Sequence, residues 1–501
     1  MKKFIAFNLI VFFIGNGLLK AQTSVDVFRA SYTNPAATAR TLGISNAIGS
    51  LGGDFSALSI NPAGIATYRN SDFNISMGYF GNNSTSNLRG TGNTATSEND
   101  TKFTFNNVGL VFAGSGDNEN WKTSNFGIGY NRLADFNRTI YYSGASPGSL
   151  VTLFKNDAQA GIYDDFGNNL AYDASAIFDT TVKGNRIVYS DFDKNPTGLV
   201  NKIHTFKQAG SIGELVVSYG ANYKEKLSIG ATIGIDFLNY ERNSAYSENN
   251  GQKTVDYFDN LTYNDKISTS GTGINLKIGA IYKITPGLRI GLAVHTPTYF
   301  SLTELHNSDL TYNYTVKGVK GNPQNLAYSS PDGTTDYIVT TPWKGVVSAS
   351  YVVSKYGFIS ADLEMVNYAS ARVNFTTPDS IGQGRKSDIK QYETSVNSDV
   401  QATYKNAYNL NVGGELALDI LRLRAGVSVK SSPLVNDNTN RANYTLGVGL
   451  RGQHTYFDVA YRSESTNFVF QPYTAGEAVR QPNVDVKTTS AYVMATLGFK
   501  F

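Results

Sequence analysis

The sequence predicts an all-β protein: a transmembrane antiparallel β-barrel of about fourteen strands, filled by an N-terminal plug and carrying long extracellular loops. Three observations predict it. Apolar and polar residues alternate from Ser71 to the C-terminus, short connections alternate with long ones, and a Gly- and Ala-rich segment without periodicity precedes the first strand. We therefore divide the chain into a signal peptide (1–21), a hatch or plug (22–70) and a barrel (71–501).

Composition narrows the function before any motif is considered. The 501 residues carry a net charge of +3, which is too close to neutral to indicate nucleic-acid binding. The absence of cysteine excludes disulfides, thiolate catalysis and cysteine-ligated metal centres. No stretch beyond the N-terminus has the roughly 20 apolar residues of a membrane-spanning helix, so a membrane role would need strands.

The N-terminus predicts export. Lys2 and Lys3 precede an apolar run from Phe4 to Leu19, and the small residue Ala21 offers a cleavage point before Gln22. A short positive region, an apolar core and a small residue are typical of a secretory signal peptide. The alternative is a membrane anchor that stays attached. We predict cleavage, with a mature chain that begins near Gln22.

The segment from Ala39 to Tyr68 predicts the plug. It is nearly uncharged, and its glycines argue against a stable isolated helix, because each interior Gly costs roughly 0.5–1 kcal/mol relative to Ala. Near its end stand Asn61, Pro62, Ala63 and Gly64. Because small residues let one backbone lie close to another, we expect a compact plug against a Gly-lined inner wall. We expect its Asn-Pro-Ala-Gly motif to lie beside a break in the third strand.

Downstream of the plug, hydrophobicity has a period of two. In one strand Leu227, Ile229 and Ala231 alternate with Ser228 and Gly230, so one face is apolar and the other is polar or bare. A soluble sandwich would show the same alternation. The predicted strands lie near 72–81, 102–113, 123–134, 211–223, 227–243, 269–283, 288–315, 337–353, 357–376, 399–416, 420–430, 442–452, 454–464 and 486–501.

The connections favour a membrane barrel over a sandwich. Tight turns, such as 224–226, 285–287 and 355–356, alternate with long segments, as periplasmic turns alternate with extracellular loops in outer-membrane barrels. The last strand has an apolar face and a terminal Phe501, which resembles the sorting signal of bacterial outer-membrane proteins. We predict a monomer in the outer membrane of a Gram-negative bacterium, in contact with membrane lipid and lipopolysaccharide.

The longest connection, 144–209, is predicted to be a partly helical extracellular loop. Leu150, Val151, Leu153 and Phe154 approximate helical spacing. Connections of this length are usually functional or disordered. Two interpretations stand side by side. Leu153 and Phe154 could belong to an apolar groove that collects a ligand outside the barrel, or the helices could form a lid that packs on the loops without a ligand role.

Several segments together resemble the long-chain fatty-acid outer-membrane transporter (FadL) family. The most specific match runs from Gly43 to Tyr68 and contains the Asn-Pro-Ala-Gly motif. Segments 286–297, 421–433 and 456–461 are similar to further stretches of the family. The resemblance covers nearly all of the mature chain, but the long loops match poorly. The plug looks more like that of the Bacteroidetes members than that of the proteobacterial ones.

The resemblance implies a fourteen-stranded barrel, a hatch in its lumen and passive uptake of hydrophobic molecules, most specifically long-chain fatty acids. In such a channel the ligand is collected at an outer groove and held in an inner pocket. It then leaves sideways through a gap at a kinked third strand. An apolar ligand gains nothing from a water-filled pore, whereas an opening in the wall delivers it directly to the membrane.

The sequence offers a candidate for the kink. The third strand keeps its alternation through Tyr130, and its continuation would place Arg132 on the lipid face, where a charge costs about 2–4 kcal/mol near the midplane. A parity break within 131–134 would avoid this cost. Alternatively, Arg132 lies at the outer interface and its long side chain reaches the polar layer. We assign Tyr130 and Arg132 to the gate on the first interpretation.

Two lumen-facing residues are candidates for ligand contact. Lys277 is our choice for a basic partner of a fatty-acid carboxylate. His295 shares the inward face of its strand with Arg289, Gly291 and Ala293, and it either meets a carboxylate or, as we prefer, bonds to the hatch. Charges of both signs face the lumen, which favours ion pairs that anchor the plug over an ion-selective pore.

No catalytic site, cofactor or metal site is expected. The stretch 144–148 has the spacing of a serine-hydrolase elbow, but Pro147 follows the serine directly and lacks the backbone N–H that an oxyanion hole needs. We therefore predict a channel rather than an enzyme, with hydrophobic small molecules as its partners. The alternative from another class is a non-transporting surface barrel whose loops bind host or haem-like partners.

Overall fold

A computed structural model describes residues 24–35, 37–116, 119–315, 323–376, 383–474 and 481–501. The predicted signal peptide lies outside these residues. None of the helices in the described ranges is long and apolar enough to cross a membrane.

The described part of the chain contains five α-helices, four of them short, and a long series of strands. The helices are α1 (Ser24–Ser31), α2 (Ala39–Gly43), α3 (Leu150–Gln159), α4 (Asn168–Asp173) and α5 (Gln383–Thr403). Single 3₁₀ turns span Phe55–Ser59, Pro62–Thr67, Asp191–Asp193 and Tyr368–Ser370. The strands are β1 (Asp72–Leu88), β2 (Thr96–Ser115), β3 (Trp121–Asp135), β4 (Arg138–Pro147), β5 (Ile177–Val182), β6 (Asn185–Ser190), β7 (Leu199–Tyr223), β8 (Leu227–Asn249), β9 (Phe258–Lys283), β10 (Leu288–His295), β11 (Tyr299–Thr315), β12 (Pro323–Ser329), β13 (Gly333–Thr340), β14 (Lys344–Val353), β15 (Gly357–Asn367), β16 (Arg372–Phe375), β17 (Asn406–Leu418), β18 (Leu421–Ser431), β19 (Asn440–Arg451), β20 (Thr455–Phe470) and β21 (Val484–Lys500).

The strands close into an antiparallel barrel with fourteen wall positions, as predicted. β21 pairs with β1 over the full length of both strands, from Asp72–Lys500 to Leu88–Val484. Four wall positions are built from two segments each: β3 with β4, β10 with β11, β14 with β13, and β15 with β16. We name the two rims by their connections: the short-turn end and the long-loop end.

The two faces of the wall follow the predicted parity. Side chains such as Ile278, Leu292 and Leu446 point outward and are more than half exposed. Inward positions carry small or polar residues, such as Ser76 and Thr496, which are buried. The alternation in the sequence therefore places an apolar band on the outside of the barrel and a polar, close-packed surface on the inside.

Several predicted strand boundaries are wrong. The predicted strands 288–315 and 337–353 are each interrupted, at 296–298 and 341–343, where Pro297 and Pro342 cannot donate to a ladder. The predicted loop 144–209 is too long at both ends, because β4 continues to Pro147 and β7 begins at Leu199, where it pairs with β4 before β8 joins it at Asn201. The same segment does contain α3 and α4, and it also contains the β5–β6 hairpin.

The lumen is filled from both ends. The plug from α2 to the turn Pro62–Thr67 occupies the half near the short turns, where Thr123 donates to the carbonyl of Ala66 at 2.8 Å. α1 lies in the other half and packs with α5 in one apolar core that includes Val27, Ala30 and Val400. A second core under α3 and α4 closes the long-loop end, and we call this region the cap (residues 148–200).

Candidate functional site

The barrel wall is interrupted between β2 and the β3–β4 position. The β2–β3 ladder runs from Ser115–Thr123 to Asn107–Asn131 and ends there. In the described residues, the remainder of β2, Thr96–Asn106, forms a ladder only with β1. We call the interruption the wall gap. Since an open edge exposes unpaired backbone groups, it is unusual inside a closed barrel, and we take it as the candidate site.

A bulge in β3 forms one side of the wall gap. The register with β7 shifts between Arg132 and Ala134, so Leu133 is the extra residue, within the predicted range 131–134. Arg132 stands at this shift and bonds Asp135 at 2.8 Å. Its side chain is 12% exposed and so does not extend into a polar layer. Tyr130, the last outward residue before the bulge, stacks on Phe105 of β2 at 5.9 Å.

Side chains connect the two sides of the wall gap at the long-loop end. Thr96 Oγ1 donates to the carbonyl of Tyr141 at 2.7 Å, and Lys102 Nζ donates to Asn137 Oδ1 at 3.1 Å. Asn93 bonds the backbone of Ala145 in both directions, at 2.8 and 2.9 Å. The gap is therefore bridged by side chains that can exchange partners, whereas the rest of β2 and β3, toward the short-turn end, is joined by a backbone ladder.

The Asn-Pro-Ala-Gly motif is locked against a different part of the wall from the one predicted. Asn61 Nδ2 donates to the carbonyl of Gly49 at 2.6 Å and to that of Ala280 on β9 at 3.3 Å. Pro62 lies on Gly230 of β8, where an added Cβ would collide with its carbonyl. The expectation that the motif lies beside the third-strand break is wrong, because Asn61 and Pro62 lie against the glycines of β8 and β9, where the absence of a Cβ lets the plug backbone approach the wall.

The remaining motif residues are equally buried. Ala63 is 0% exposed, and its amide donates to Asn61 Oδ1 at 3.2 Å, which caps the turn. Gly64 packs against Gly52 and Ala57, where a Cβ would be too close to both. A motif held this tightly is suited to sealing the lumen.

The plug residue that meets the gap is Ser59. Asn131 Nδ2, at the end of the β2–β3 ladder, donates to Ser59 Oγ at 2.7 Å. Ser59 Oγ in turn donates to Glu214 Oε2 on β7 at 2.6 Å. Glu214 forms an ion pair with Lys277 of β9, and both side chains are almost fully buried. A continuous polar connection thus runs from the wall gap through Ser59 of the plug to β7, the neighbour of β3, and on to β9.

A chamber of about 90 Å³ lies between the plug and α1. Its apolar lining residues include Leu133 of the bulge together with Ile212 and Phe300. Its titratable lining residues are Asp236, Lys277, His295, Lys344, Asp362, Glu364 and Lys430. The chamber therefore has a mixed apolar and polar lining, and Leu133 connects it with the bulge at the wall gap.

The structure places both candidate ligand residues in this chamber. His295 Nε2 donates to the carbonyl of Ile60 at 2.9 Å. This is a bond to the hatch, as the preferred of the two interpretations of His295 predicted. Lys277 has no free charge to offer, since Glu214 and Asn275 already bind its ammonium. Its ligand role therefore has no support in the geometry.

The packing of the cap agrees better with the lid interpretation than with the ligand-collecting groove. Phe154 is 5% exposed, and its ring meets that of Tyr263 at 5.5 Å; Leu153 packs partly buried against the same core. Glu248 accepts from the amide of Leu150 at 2.9 Å, which places a carboxylate at the N-terminus of α3. The apolar residues at helical spacing pack into this core, so they do not line an open groove.

Sequence reasoning missed α1 in the lumen and the long helix α5. α1 is short, and its sequence SVDVFRAS has a weak apolar stripe that gives no indication of where it lies. Arg29 of α1 sits over the ring of Tyr240 at 3.6 Å, and this cation–π contact depends on the tertiary fold. α5 is mostly polar, so its sequence resembles that of a loop.

Several solved structures have a similar fold. The chain is similar to a Pseudomonas aeruginosa FadL homologue with a TM-score of 0.53 and 13% identity, over 94% of this chain and 100% of that one. It is similar to the P. putida toluene transporter TodX with a TM-score of 0.50 and 13% identity, over 93% and 99%. A TodX deltaS2S3 mutant, a monoaromatic hydrocarbon channel, matches with a TM-score of 0.51 and 10% identity, over 93% and 99%. No protein-family model matches the chain, and no curated protein matches it in sequence. The predicted FadL resemblance is thus confirmed for the fold.

Proposed function

We propose that this FadL-type barrel is an outer-membrane channel for the passive uptake of hydrophobic compounds, most specifically long-chain fatty acids. The ligand leaves the lumen sideways, through the wall gap. The protein acts as a monomer surrounded by outer-membrane lipid and lipopolysaccharide, and it catalyses no reaction. The observation that carries the proposal is the end of the β2–β3 ladder at Asn107–Asn131, directly beside a chamber and above a sealed plug.

Physical chemistry favours the sideways route. A straight path to the short-turn end would require the whole plug to leave, although its buried side chains bond to the wall on several sides. The wall gap needs only the exchange of a few side-chain hydrogen bonds, each with a net worth of about 0.5–1.5 kcal/mol. A ligand that passes from an apolar chamber wall into lipid also avoids water throughout.

The named relatives support the ligand class. TodX is described as a toluene transporter and a monoaromatic hydrocarbon channel, so its fold is compatible with hydrophobic cargo. We extend that class to this chain because of the apolar residues in its chamber lining and because of its wall gap. Fatty acids are preferred over plain hydrocarbons because polar residues line the same chamber.

A cross-link across the gap tests the proposal. The chain has no cysteine, so K102C/N137C can be bridged selectively with a short bifunctional thiol reagent. Uptake of labelled oleate by cells should fall to the level of cells without the protein once the bridge forms, and should recover on reduction. The control pair T85C/S97C bridges neighbouring residues of the intact β1–β2 ladder and should leave uptake unchanged. Unchanged uptake in the bridged K102C/N137C protein contradicts lateral release.

A further inference from the structure

The outer face of the barrel has an apolar groove of about 900 Å³, which we call the outer groove. It lies on the short-turn end of β3, at 121–124, and on the strands β7 to β10, and the described residues that line it include none of the plug. Its walls are large, exposed outward side chains: Tyr219, Ile229, Ile278, Leu292 and Val294. A groove on this face opens to the hydrocarbon of the membrane.

The floor of the outer groove is low because three of its outward residues are alanines. Ala221, Ala231 and Ala280 stand on the adjacent strands β7, β8 and β9. Each is paired in register with a larger outward residue; Ala231, for example, lies between Tyr219 and Ile278. Alternating small and large side chains make hollows between ridges, and a flexible hydrocarbon chain can fill such hollows with van der Waals contacts.

The barrel wall under the outer groove is one backbone layer thick at two glycines. Gly230 and Gly279 line the groove, and a Cβ added to either would collide with the plug, at Pro62 or at Asn61. At these positions no side chain separates the membrane from the plug motif. A molecule that fills the groove from outside therefore supports the wall where the plug contacts it from inside.

Three lysines border the short-turn end of the outer groove. Trp121, which lines the groove, meets the ring of Tyr223 edge-on at a centroid distance of 5.2 Å. The ammonium of Lys224 lies 5.2 Å from the centre of the Tyr223 ring. Lys122 follows Trp121 in the chain, Lys226 stands in the same turn as Lys224, and all three lysines are exposed. We call Lys122, Lys224 and Lys226 the rim lysines.

The acidic groups at this rim leave a net positive charge. Glu225 stands between two of the rim lysines in the turn, but Arg69 pairs with it at 3.5 Å. Glu119, on the connection between β2 and β3, is exposed and is one carboxylate against three ammonium groups. Over the part of the chain that the structure describes, none of the rim lysines forms an ion pair. The rim lysines can therefore bind an anion from outside the protein.

An anionic phospholipid matches both the outer groove and the rim lysines. Ammonium groups bind phosphate oxygens through charge-assisted hydrogen bonds, and Trp and Tyr rings are typical of the boundary between hydrocarbon and water. The stretch of β7 from Tyr223, the register partner of Trp121, to Tyr219 covers about 13 Å, and one leaflet contains about 15 Å of hydrocarbon. A second copy of the chain matches less well, because a two-fold contact here would bring the rim lysines of both copies together.

We propose that the outer groove binds one acyl chain of an anionic phospholipid whose phosphate lies on the rim lysines. The phospholipid belongs to the leaflet at the short turns, because lipopolysaccharide occupies the opposite leaflet of an outer membrane. The inference rests on the position of the barrel in that membrane and not on the uptake of a ligand. Because this lipid binds only the folded barrel, it also stabilises the wall behind the plug motif.

The fluorescence of Trp121 reports on the outer groove directly. The chain has two tryptophans, and Trp343 does not line the groove, so W343F leaves one fluorophore, inside the groove. Bromine atoms on an acyl chain quench tryptophan fluorescence on contact. The full barrel is reconstituted in phosphatidylcholine vesicles with increasing fractions of brominated phosphatidylglycerol or, in a parallel series, of brominated phosphatidylcholine. Each variant must show the unheated gel mobility of the folded barrel.

In W343F, brominated phosphatidylglycerol should quench Trp121 at about a fifth of the fraction that brominated phosphatidylcholine requires, which is roughly the effect of one lysine at a membrane surface. K224Q/K226Q and A231F, each made in W343F, should remove this preference, the first by loss of charge and the second by filling the groove. A495F adds the same ring to the outer face of β21 and should keep the preference. W121F leaves Trp343 as the reporter, and both lipids should quench it equally.

Equal quenching of Trp121 by the two lipids overturns the proposal, and so does a preference that survives both K224Q/K226Q and A231F. If neither lipid quenches Trp121, lipid does not fill the groove; a dimer in the same sample then assigns the groove to a second copy of the chain. Oleate uptake by cells is measured separately. A lipid preference without uptake contradicts the proposed function alone, and normal uptake without the preference contradicts the lipid site alone.

Discussion

Asn131 Nδ2 donates a hydrogen bond to Ser59 Oγ at 2.7 Å, and so the last residue of the β2–β3 ladder is bonded directly to the plug. Both side chains are buried. Asn107, the ladder partner of Asn131, donates to Asn131 Oδ1 at 2.8 Å, which leaves Asn131 held from both sides. The edge of the wall gap and the plug therefore form a single hydrogen-bonded unit, and a displacement of one should displace the other.

Asn131→Ala should loosen this unit. The substitution leaves Asn107 Nδ2 with fewer acceptors and Ser59 Oγ with one donor fewer in a buried place, which costs about 1–3 kcal/mol. We expect a lower Tm in detergent and faster proteolytic cleavage within the plug. Asn99→Ala, on the exposed part of the same hairpin, is the control and should behave like the wild type. Identical cleavage rates for the two variants would show that the bond does not hold the plug.

The plug also depends on close approach to the wall. At Gly279 an added Cβ would come closer to Asn61 Oδ1 than the 3.0 Å that real Cβ atoms keep. Gly279→Ala should displace Asn61, destabilise the barrel by about 1–3 kcal/mol and increase leakage of small hydrophilic antibiotics into cells. At Gly345, on β14, the only neighbour of a Cβ is the flexible end of Met365, at 3.9 Å. Gly345→Ala should therefore be neutral, and equal leakage in both variants would refute the tight fit.

How far the sequence predicts this structure depends on whether the pattern is local. The alternation of strands such as β8 follows from the requirement for one apolar and one compact face, so the barrel, its strand count and its parity are predictable. The Gly- and Ala-rich composition likewise indicates a plug, because small residues let its backbone lie close to the inner wall. The parity argument at Arg132 locates the bulge in β3.

The contacts inside the lumen are not predictable in this way. They join residues far apart in the chain, such as Ser59 and Glu214 or Arg29 and Tyr240, and no periodicity encodes them. Lys277 illustrates the point. Its inward parity is correctly predicted, but its pairing with Glu214 depends on the register of β7, β8 and β9.

A buried charge network under α2 should be essential for folding. Arg424 is fully buried and bonds Glu415 at 2.7 Å and Asp458 at 2.6 Å. Arg424→Met leaves two buried carboxylates without their main partner, and removal of one member of a buried pair costs about 3–5 kcal/mol. We expect little heat-modifiable barrel in the outer membrane. Arg422→Met, at the rim and 22% exposed, should fold normally, and equal yields of both variants would contradict the argument.

The cap should loosen in acid because His204 packs against the core on which the cap rests. Its imidazole is enclosed by the rings of Tyr142, Tyr246 and Phe470, which belong to that core, and burial lowers its pKa to about 3. His204 binds a proton near pH 6.5 when this packing is lost and does not when it is intact, so this stability is present above pH 6.5. It is lost as the pH falls toward 3, by roughly 1.4 kcal/mol per pH unit. Proteolysis within residues 148–200 should accelerate between pH 7 and pH 4 in the wild type. His204→Phe keeps an apolar ring at this position and should remove most of the acceleration; if it accelerates as the wild type does, another group governs the opening.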